Sequence, residues 1–309
     1  MTFSVTILGS SSALPTSQRF PTAHVLNAHE RLFLVDCAEG TQIQLRRFKL
    51  KFSKIDNIFI SHLHGDHVLG LVGLISTLNL LGRKGKLTIH AHSPLQSILT
   101  QNINFFINDL QFPIEFRALD GKKRKIIFED DAISVESIPL KHRIVSNGFV
   151  FREIEKLPNI KKELVERYSI PLAEIVRIKN GADYETSEGL TIPYSELTYI
   201  SSTPRSYAYC SDTKFFEGLA DMVQGVDLLY HESTFGNDMA KMAKATGHST
   251  AAQAATIAKL AGVKKLIIGH FSSRYKDVTP LLNEAREIFP ETYTAEDGTS
   301  FSVKSEKGK

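Results

Sequence analysis

Cysteine is scarce in this 309-residue chain, which has two, Cys37 and Cys210. Two cysteines exclude a disulfide framework and a four-cysteine zinc ribbon. Each lies in an apolar strand-like run, Phe33-Leu34-Val35-Asp36-Cys37 and Tyr207-Ala208-Tyr209-Cys210, as suits buried thiols in a reducing compartment. Long hydrophobic runs are absent too, since no segment approaches the roughly 20 apolar residues of a membrane span. The start, Met1-Thr2-Phe3-Ser4-Val5-Thr6-Ile7-Leu8, has no basic region and only a short apolar stretch, so it reads as a first strand and not as a signal peptide. These absences lead to the expectation of a cytoplasmic protein with no membrane association. Charge of one sign is also lacking: 37 basic and 34 acidic residues leave +3. That is too little to demonstrate a nucleic-acid partner unless the basic residues cluster. The run Lys122-Lys123-Arg124-Lys125 is such a cluster, but after Gly121 it reads as a solvated hairpin loop. No internal repeat or low-complexity tract is present.

What is present fits a folded protein with a substantial core: 42% of residues are hydrophobic and 23% charged, and disorder is expected only in the polar tail Lys304 to Lys309. Runs rich in Val, Ile, Leu, Phe and Tyr predict strands at Ser4–Gly9, Leu32–Cys37, Asn57–Ser61 and Leu87–His90, then near Ala132–Ile138, Ala208–Ser211, Leu228–His231 and Lys265–Gly269. Val68–Leu81 is apolar nearly all round and predicts a buried helix. Ser249–Ala261, with Ser/Thr at its start and Gly262 at its end, predicts a second, and Val278–Ile288, opening on Thr279-Pro280, a third. Strands that first pair without helices and later alternate with them imply packed sheets with helices outside. The stretch 152–202 differs. It is polar and weakly periodic, with six basic residues (Lys156, Lys161, Lys162, Arg167, Arg177, Lys179) against three acidic (Glu163, Glu166, Glu174) between Lys156 and Gly181. It reads as an arm without a core of its own, inserted into a single domain spanning 1–309.

The densest chemistry is Ser61-His62-Leu63-His64-Gly65-Asp66-His67, set between an apolar strand and a helix. Three imidazoles and a carboxylate packed this tightly are costly without a cation, and both bind zinc. Strand periodicity turns His62 and His64 to one side, so they can share a metal, while Asp66 and His67, at the turn into the helix, suit a second one nearby. Further ligands have to come from distant sequence. His142, Asp212 and His270 each stand just after a predicted strand, and each alone would be an unremarked loop residue.

The cluster His62-Leu63-His64-Gly65-Asp66-His67 resembles the HxHxDH signature of the metallo-β-lactamase superfamily, and His142, Asp212 and His270 match that superfamily's remaining ligands in order and approximate spacing. The resemblance implies an α+β fold, the four-layer αββα sandwich, with two zinc ions per subunit at one edge. It implies that His62, His64 and His142 hold one zinc, that Asp66, His67 and His270 hold the other, and that Asp212 bridges. Such sites serve lactams, thioesters, lactones, sulfates and phosphodiesters, so fold and metals alone do not give the substrate.

Narrower motifs resemble ribonuclease Z. They are the opening loop Leu8 to Arg19, the second loop Asp36-Cys37-Ala38-Glu39-Gly40-Thr41-Gln42, the paired loops His231-Glu232-Ser233-Thr234 and His248-Ser249-Thr250, and the closing Ala295-Glu296-Asp297-Gly298. The resemblance spans nearly the whole chain. It implies an endoribonuclease that removes the 3′ trailer of precursor transfer RNA, a homodimer, and an exosite in the 152–202 arm that grips the transfer-RNA elbow. On this reading Asp66 orients a water and accepts its proton. His248 protonates the leaving 3′-oxygen, and Glu232 fixes the His248 tautomer. Without the resemblance His248 would read as a neighbour of the helix cap. His231 reads as structural, and His90 and His92, on a strand end before Pro94, read as surface or packing residues. Ser17 and Phe20 depart from the family's Lys and Asn, and Ile170-Pro171-Leu172-Ala173 replaces its Gly-Pro pair. Two other readings compete: a hydrolase of small phosphodiesters, aryl sulfates or lactones, and a zinc- or RNA-binding protein without activity.

Overall fold

The computed structural model describes residues 1–306, so Lys307 to Lys309 of the expected loose tail lie outside the described residues. The chain divides into two compact units. The first is built by Met1–Arg152 and Ser206–Val303, the second by Glu153–Arg205 and the start of the tail.

In the first unit the strands are β1 (Phe3–Gly9), β2 (Ala23–Ala28), β3 (Arg31–Val35), β4 (Ile55–Phe59), β5 (Leu87–Ala91), β6 (Ile114–Ala118), β7 (Lys125–Glu129), β8 (Ile133–Leu140) and β9 (Ser146–Glu153). In the second unit they are β10 (Asn159–Ile160), β11 (Tyr184–Glu185), β12 (Thr191–Ile192) and β13 (Thr198–Tyr199). Back in the first unit they are β14 (Ser206–Cys210), β15 (Leu228–Glu232), β16 (Lys265–Gly269), β17 (Thr292–Thr294) and β18 (Ser300–Ser302). Two seven-stranded sheets result, in the orders β18-β1-β2-β3-β4-β5-β6 and β17-β16-β15-β14-β9-β8-β7. β3 to β6 run parallel, as do β14 to β17, and the helices that connect them cover the outer faces.

Three apolar clusters define the layers. Leu34, Ile58 and Ile89 of the first sheet pack on the helices Leu71–Leu80 and Pro94–Phe106. Phe33, Val35 and Phe59 face Phe149, Phe151, Tyr207 and Tyr209 between the sheets. Ala208, Leu229 and Ile268 pack on the helices Ala251–Ala261 and Thr279–Arg286. This is the αββα order. In a parallel sheet the loops beyond the carboxyl ends of the strands gather at one edge, which is where such folds place their chemistry.

Four expectations need correction. The helix expected over Val68–Leu81 is two, Gly65–Val68 and Leu71–Leu80. At the break, a Cβ on Gly70 would lie 1.9 Å from the Ala38 carbonyl oxygen, so the backbone passes there too closely for any other residue. Nor is that segment buried all round, because Leu69, Leu80 and Leu81 are exposed. The run Lys122 to Lys125 is not in a hairpin: it joins β6 of one sheet to β7 of the other. Finally, the second unit has a small core of its own, Ile170, Ile178, Ile192 and Leu197. Those four residues are too widely spaced to give a periodic signal. Within the same unit Arg205 Nη2 pairs with Glu153 Oε1 at 2.7 Å, joining the two ends of the insertion.

Candidate metal centre

The early histidine cluster follows β4, His142 follows β8, Asp212 follows β14 and His270 follows β16, each just beyond the carboxyl end of its strand. Four side chains form one group. His62 Nε2 lies 2.9 Å and His142 Nε2 3.3 Å from His64 Nδ1, and both Nε2 atoms lie 3.5 Å from Asp212 Oδ2. A second group faces the other oxygen of Asp212. His67 Nε2 and His270 Nε2 are 3.3 and 3.1 Å from Asp212 Oδ1, and 3.4 and 3.6 Å from Asp66 Oδ2. The seven sequence-derived ligand candidates are thus brought together, with Asp212 between the two groups.

Two observations show that these residues fit metal cations. Ligand atoms about 2.0–2.1 Å from a tetrahedral zinc stand about 3.3 Å apart, which is the spacing found in both groups. In addition, His67 Nε2 and His270 Nε2 are buried with no hydrogen-bond partner, a costly state for two inward-facing nitrogens unless a cation takes their lone pairs. Chain strain collects here as well: Asp36, Asp212 and His270 have φ of 55°, 46° and 60°, in the left-handed region that non-glycine residues avoid.

In four of the five rings the opposite nitrogen is held by a partner that aims the ligand. His67 Nδ1 donates to Asp36 Oδ2 (2.7 Å), His142 Nδ1 to the Gly247 carbonyl (2.8 Å), His270 Nδ1 to Thr234 Oγ1 (2.9 Å) and His62 Nδ1 to Ser61 Oγ (3.0 Å). Asp36 is the hub. It also accepts from Ser61 N, Ser61 Oγ and Tyr209 Oη at 2.7, 2.8 and 2.6 Å. Such partners fix tautomer and ring orientation. Sequence reasoning assigned no role to Asp36, Ser61 or Thr234. The available signal was Asp36 itself, a carboxylate closing the apolar run Leu32 to Val35, which has to be buried and paired.

Glu232, at the end of β15, is buried. Its Oε1 accepts from Thr213 N (3.0 Å) and His248 Nδ1 (2.8 Å), and its Oε2 accepts from Thr234 N (3.0 Å) and Thr234 Oγ1 (2.7 Å). Burial alone would lower the pKa of His248, but the Glu232 carboxylate raises it to about 9, so the ring is cationic at neutral pH. Asp66 and Asp212 are disfavoured as anions by burial, yet the neighbouring imidazoles, His270 foremost, hold both below the usual carboxylate range. His248, Asp66, His270, Arg143 and Arg274 line a cleft of about 330 Å³. His231 and His90 are fully buried, and His90 stacks on Phe59 at 4.4 Å, so of its two expected settings it takes packing and not the surface. Asp297 of the closing motif ties down the opening loop, accepting from Ser10 Oγ (2.7 Å) and Phe20 N (2.8 Å).

Comparison with known proteins agrees with this architecture. A family model described as "Anti-Pycsar protein Apyc1" matches residues 3–105. A metallo-β-lactamase fold protein from Bacillus subtilis superposes with a TM-score of 0.69 at 16% identity, covering 98% of this chain and all of the other. Fold and residue cluster together therefore define the class as a metallo-β-lactamase fold protein. Ribonuclease Z of Phocaeicola vulgatus is 48% identical over 305 residues, 99% of each chain. The crystal structure of human tRNase Z, short form, superposes with a TM-score of 0.70 at 27% identity, covering 97% of this chain and 99% of that one. The chain belongs to the ribonuclease Z family.

Proposed function

We propose that this protein is a metal-dependent endoribonuclease that removes the 3′ trailer from precursor transfer RNA and leaves a 3′-hydroxyl on the transfer RNA. The observation that carries this reading is the full-length similarity to ribonuclease Z, joined to seven metal-type ligands gathered beside a Glu232–His248 pair. The imidazole-rich donor set suits two zinc ions per subunit, with His62, His64 and His142 for one, Asp66, His67 and His270 for the other, and Asp212 between them. Bound there, a zinc pair would make water acidic enough to supply hydroxide near neutral pH and would neutralise charge on the phosphate.

The remaining work falls to this chain's own groups. Asp66 orients the attacking water and takes its proton. His248 protonates the 3′-oxygen as it leaves phosphorus, and Glu232 keeps that ring protonated and in the orientation it needs. Arg143 and Arg274, in the wall of the same cleft, offer cations to the phosphates. The 152–202 arm is assigned to the transfer-RNA elbow, its excess of basic residues suiting phosphate contact. A homodimer in the cytoplasm completes the proposal. Among the described residues no helix is long and apolar enough to cross a membrane.

The test is incubation with a 3′-extended precursor and mapping of the cut. A single cut at the trailer junction, abolished by chelation and restored by zinc, is expected. Intact precursor would refute the reading. His248→Ala is expected to lower kcat by about 100- to 10,000-fold at unchanged zinc content. An unchanged kcat would remove His248 from the chemistry.

A further inference from the structure

A second, larger cleft of about 810 Å³ adjoins the metal centre, and its lining includes Lys122, Leu140, His142, Arg143, Ile144 and Val145. It is formed where the β6–β7 crossing meets the turn between β8 and β9. The two segments touch closely: a Cβ on Gly121 would lie 2.0 Å from Val145 Cγ1. Arg143 and His142 connect this cleft to the chemistry. Arg143 lines both clefts, and His142 is one of the ligand candidates.

Three features of the larger cleft need an explanation. Ile144 and Val145 are 39% and 57% exposed at the tip of a turn, where polar residues are the rule. Lys122 and Arg143 are exposed and form no ion pair among the described residues, whereas nearby Arg124 is held by Glu136 and Lys141 lies over the Phe216 ring. Asp120, also in the lining, is exposed, and its Oδ1 accepts Lys122 N at 2.9 Å. The cleft therefore offers cations and bare apolar surface side by side, within the range of about 300–1,000 Å³ typical of small-ligand sites.

We propose that this cleft is the subsite for the first nucleotide of the trailer, an inference that rests on the ribonuclease reading above. The base packs on Leu140, Ile144 and Val145, and the strand's phosphates pass between Arg143 and Lys122. The side follows from the leaving group. His248, which protonates the departing 3′-oxygen, lines the smaller cleft and not the larger one, so the transfer-RNA nucleotide bearing that oxygen belongs with His248. The trailer is joined to the same phosphorus through its 5′-oxygen and takes the other side, past His142. Apolar contact reads no base edge, so the subsite accepts trailers of any sequence while requiring that a base be present.

The experiment is a two-by-two comparison. The enzyme and its Ile144→Ala/Val145→Ala variant each cleave a precursor with an intact trailer and one abasic at the first trailer position. With the intact precursor the variant's kcat/KM is expected to fall on the order of tenfold, as loss of two apolar contacts implies. The abasic precursor should be cut equally well by both proteins. An equal loss on both precursors, or no penalty for the abasic site in the unaltered enzyme, overturns the subsite alone. An unaltered enzyme that cuts neither precursor overturns the ribonuclease reading and the subsite with it. Lys122→Gln, exposed and remote from the core, gives an independent reading. Its salt dependence of kcat/KM should be shallower than that of the unaltered enzyme for trailers of two or more nucleotides, and identical for a trailer of one. The same salt slope for every trailer length would also overturn the proposal.

Discussion

At the scale of single residues, Thr234 shows how one hydroxyl can join two parts of a site. It donates to the Glu232 carboxylate and accepts from His270 Nδ1, so it fixes the tautomer of a ligand candidate and the orientation of the carboxylate behind His248. Thr234→Val keeps the shape and removes both bonds. It is expected to weaken zinc affinity by about 10–100-fold, read by competition with a chromogenic chelator, while Thr234→Ser keeps both the bonds and the affinity. Equal loss in Val and Ser variants would reduce Thr234 to a packing residue. The histidines away from the centre act on stability. Burial lowers His24 to about 3 and His90 to about 4, against an ordinary value of 6.5. The unfolded chain therefore binds these protons first as the pH falls. Their contribution is complete above about pH 6.5 and is lost progressively toward the folded values, on the order of 2 kcal/mol for each at pH 5. Urea unfolding at pH 7 and pH 5 should show a smaller acid loss in His90→Phe than in the unaltered protein. Parallel losses would discount His90.

At the scale of elements, the segment of the short helix Gly65–Val68 and Gly70 is bonded to the loop that follows β3. Cys37 N donates to the His67 carbonyl (2.8 Å) and Gly70 N to the Cys37 carbonyl (2.9 Å). Gly70→Ala forces a methyl against the Ala38 carbonyl oxygen and is expected to cost about 1–3 kcal/mol, seen as a lower thermal midpoint with zinc removed. No change in midpoint would show that the helix break tolerates a side chain. The helix Ala251–Ala261 illustrates what local sequence can specify. Its Thr250–Gln253 capping box and left-handed Gly262 bracket it, starting two residues after the expected limit and ending at the expected one. β2 was not legible, because His24 and Asn27 interrupt its apolar residues, yet His24 is buried against Tyr207, Tyr209 and Tyr230.

At the scale of the molecule, the two units separate chemistry from proposed substrate grip. Removing 157–192 should leave hydrolysis of bis(p-nitrophenyl) phosphate intact and abolish cleavage of precursor transfer RNA. Retained cleavage of the precursor would remove the arm from recognition. The sequence by itself determined the chemical character of the protein. A turn with three imidazoles and a carboxylate has few uses without a cation, and alternating strand and helix signals imply layered sheets. It also named His142, Asp212 and His270 from their places after strands. Only the tertiary structure decided that these three meet the early turn at one edge, that Asp212 presents one oxygen to each group, and that Asp36 and Thr234 aim the rings. It also decided that a basic run read as a solvated loop crosses between sheets beside the metal centre. The physical reason is range. Capping and periodicity act over a few residues and are written in order along the chain, whereas the partners of a buried polar atom are set by which strands become neighbours.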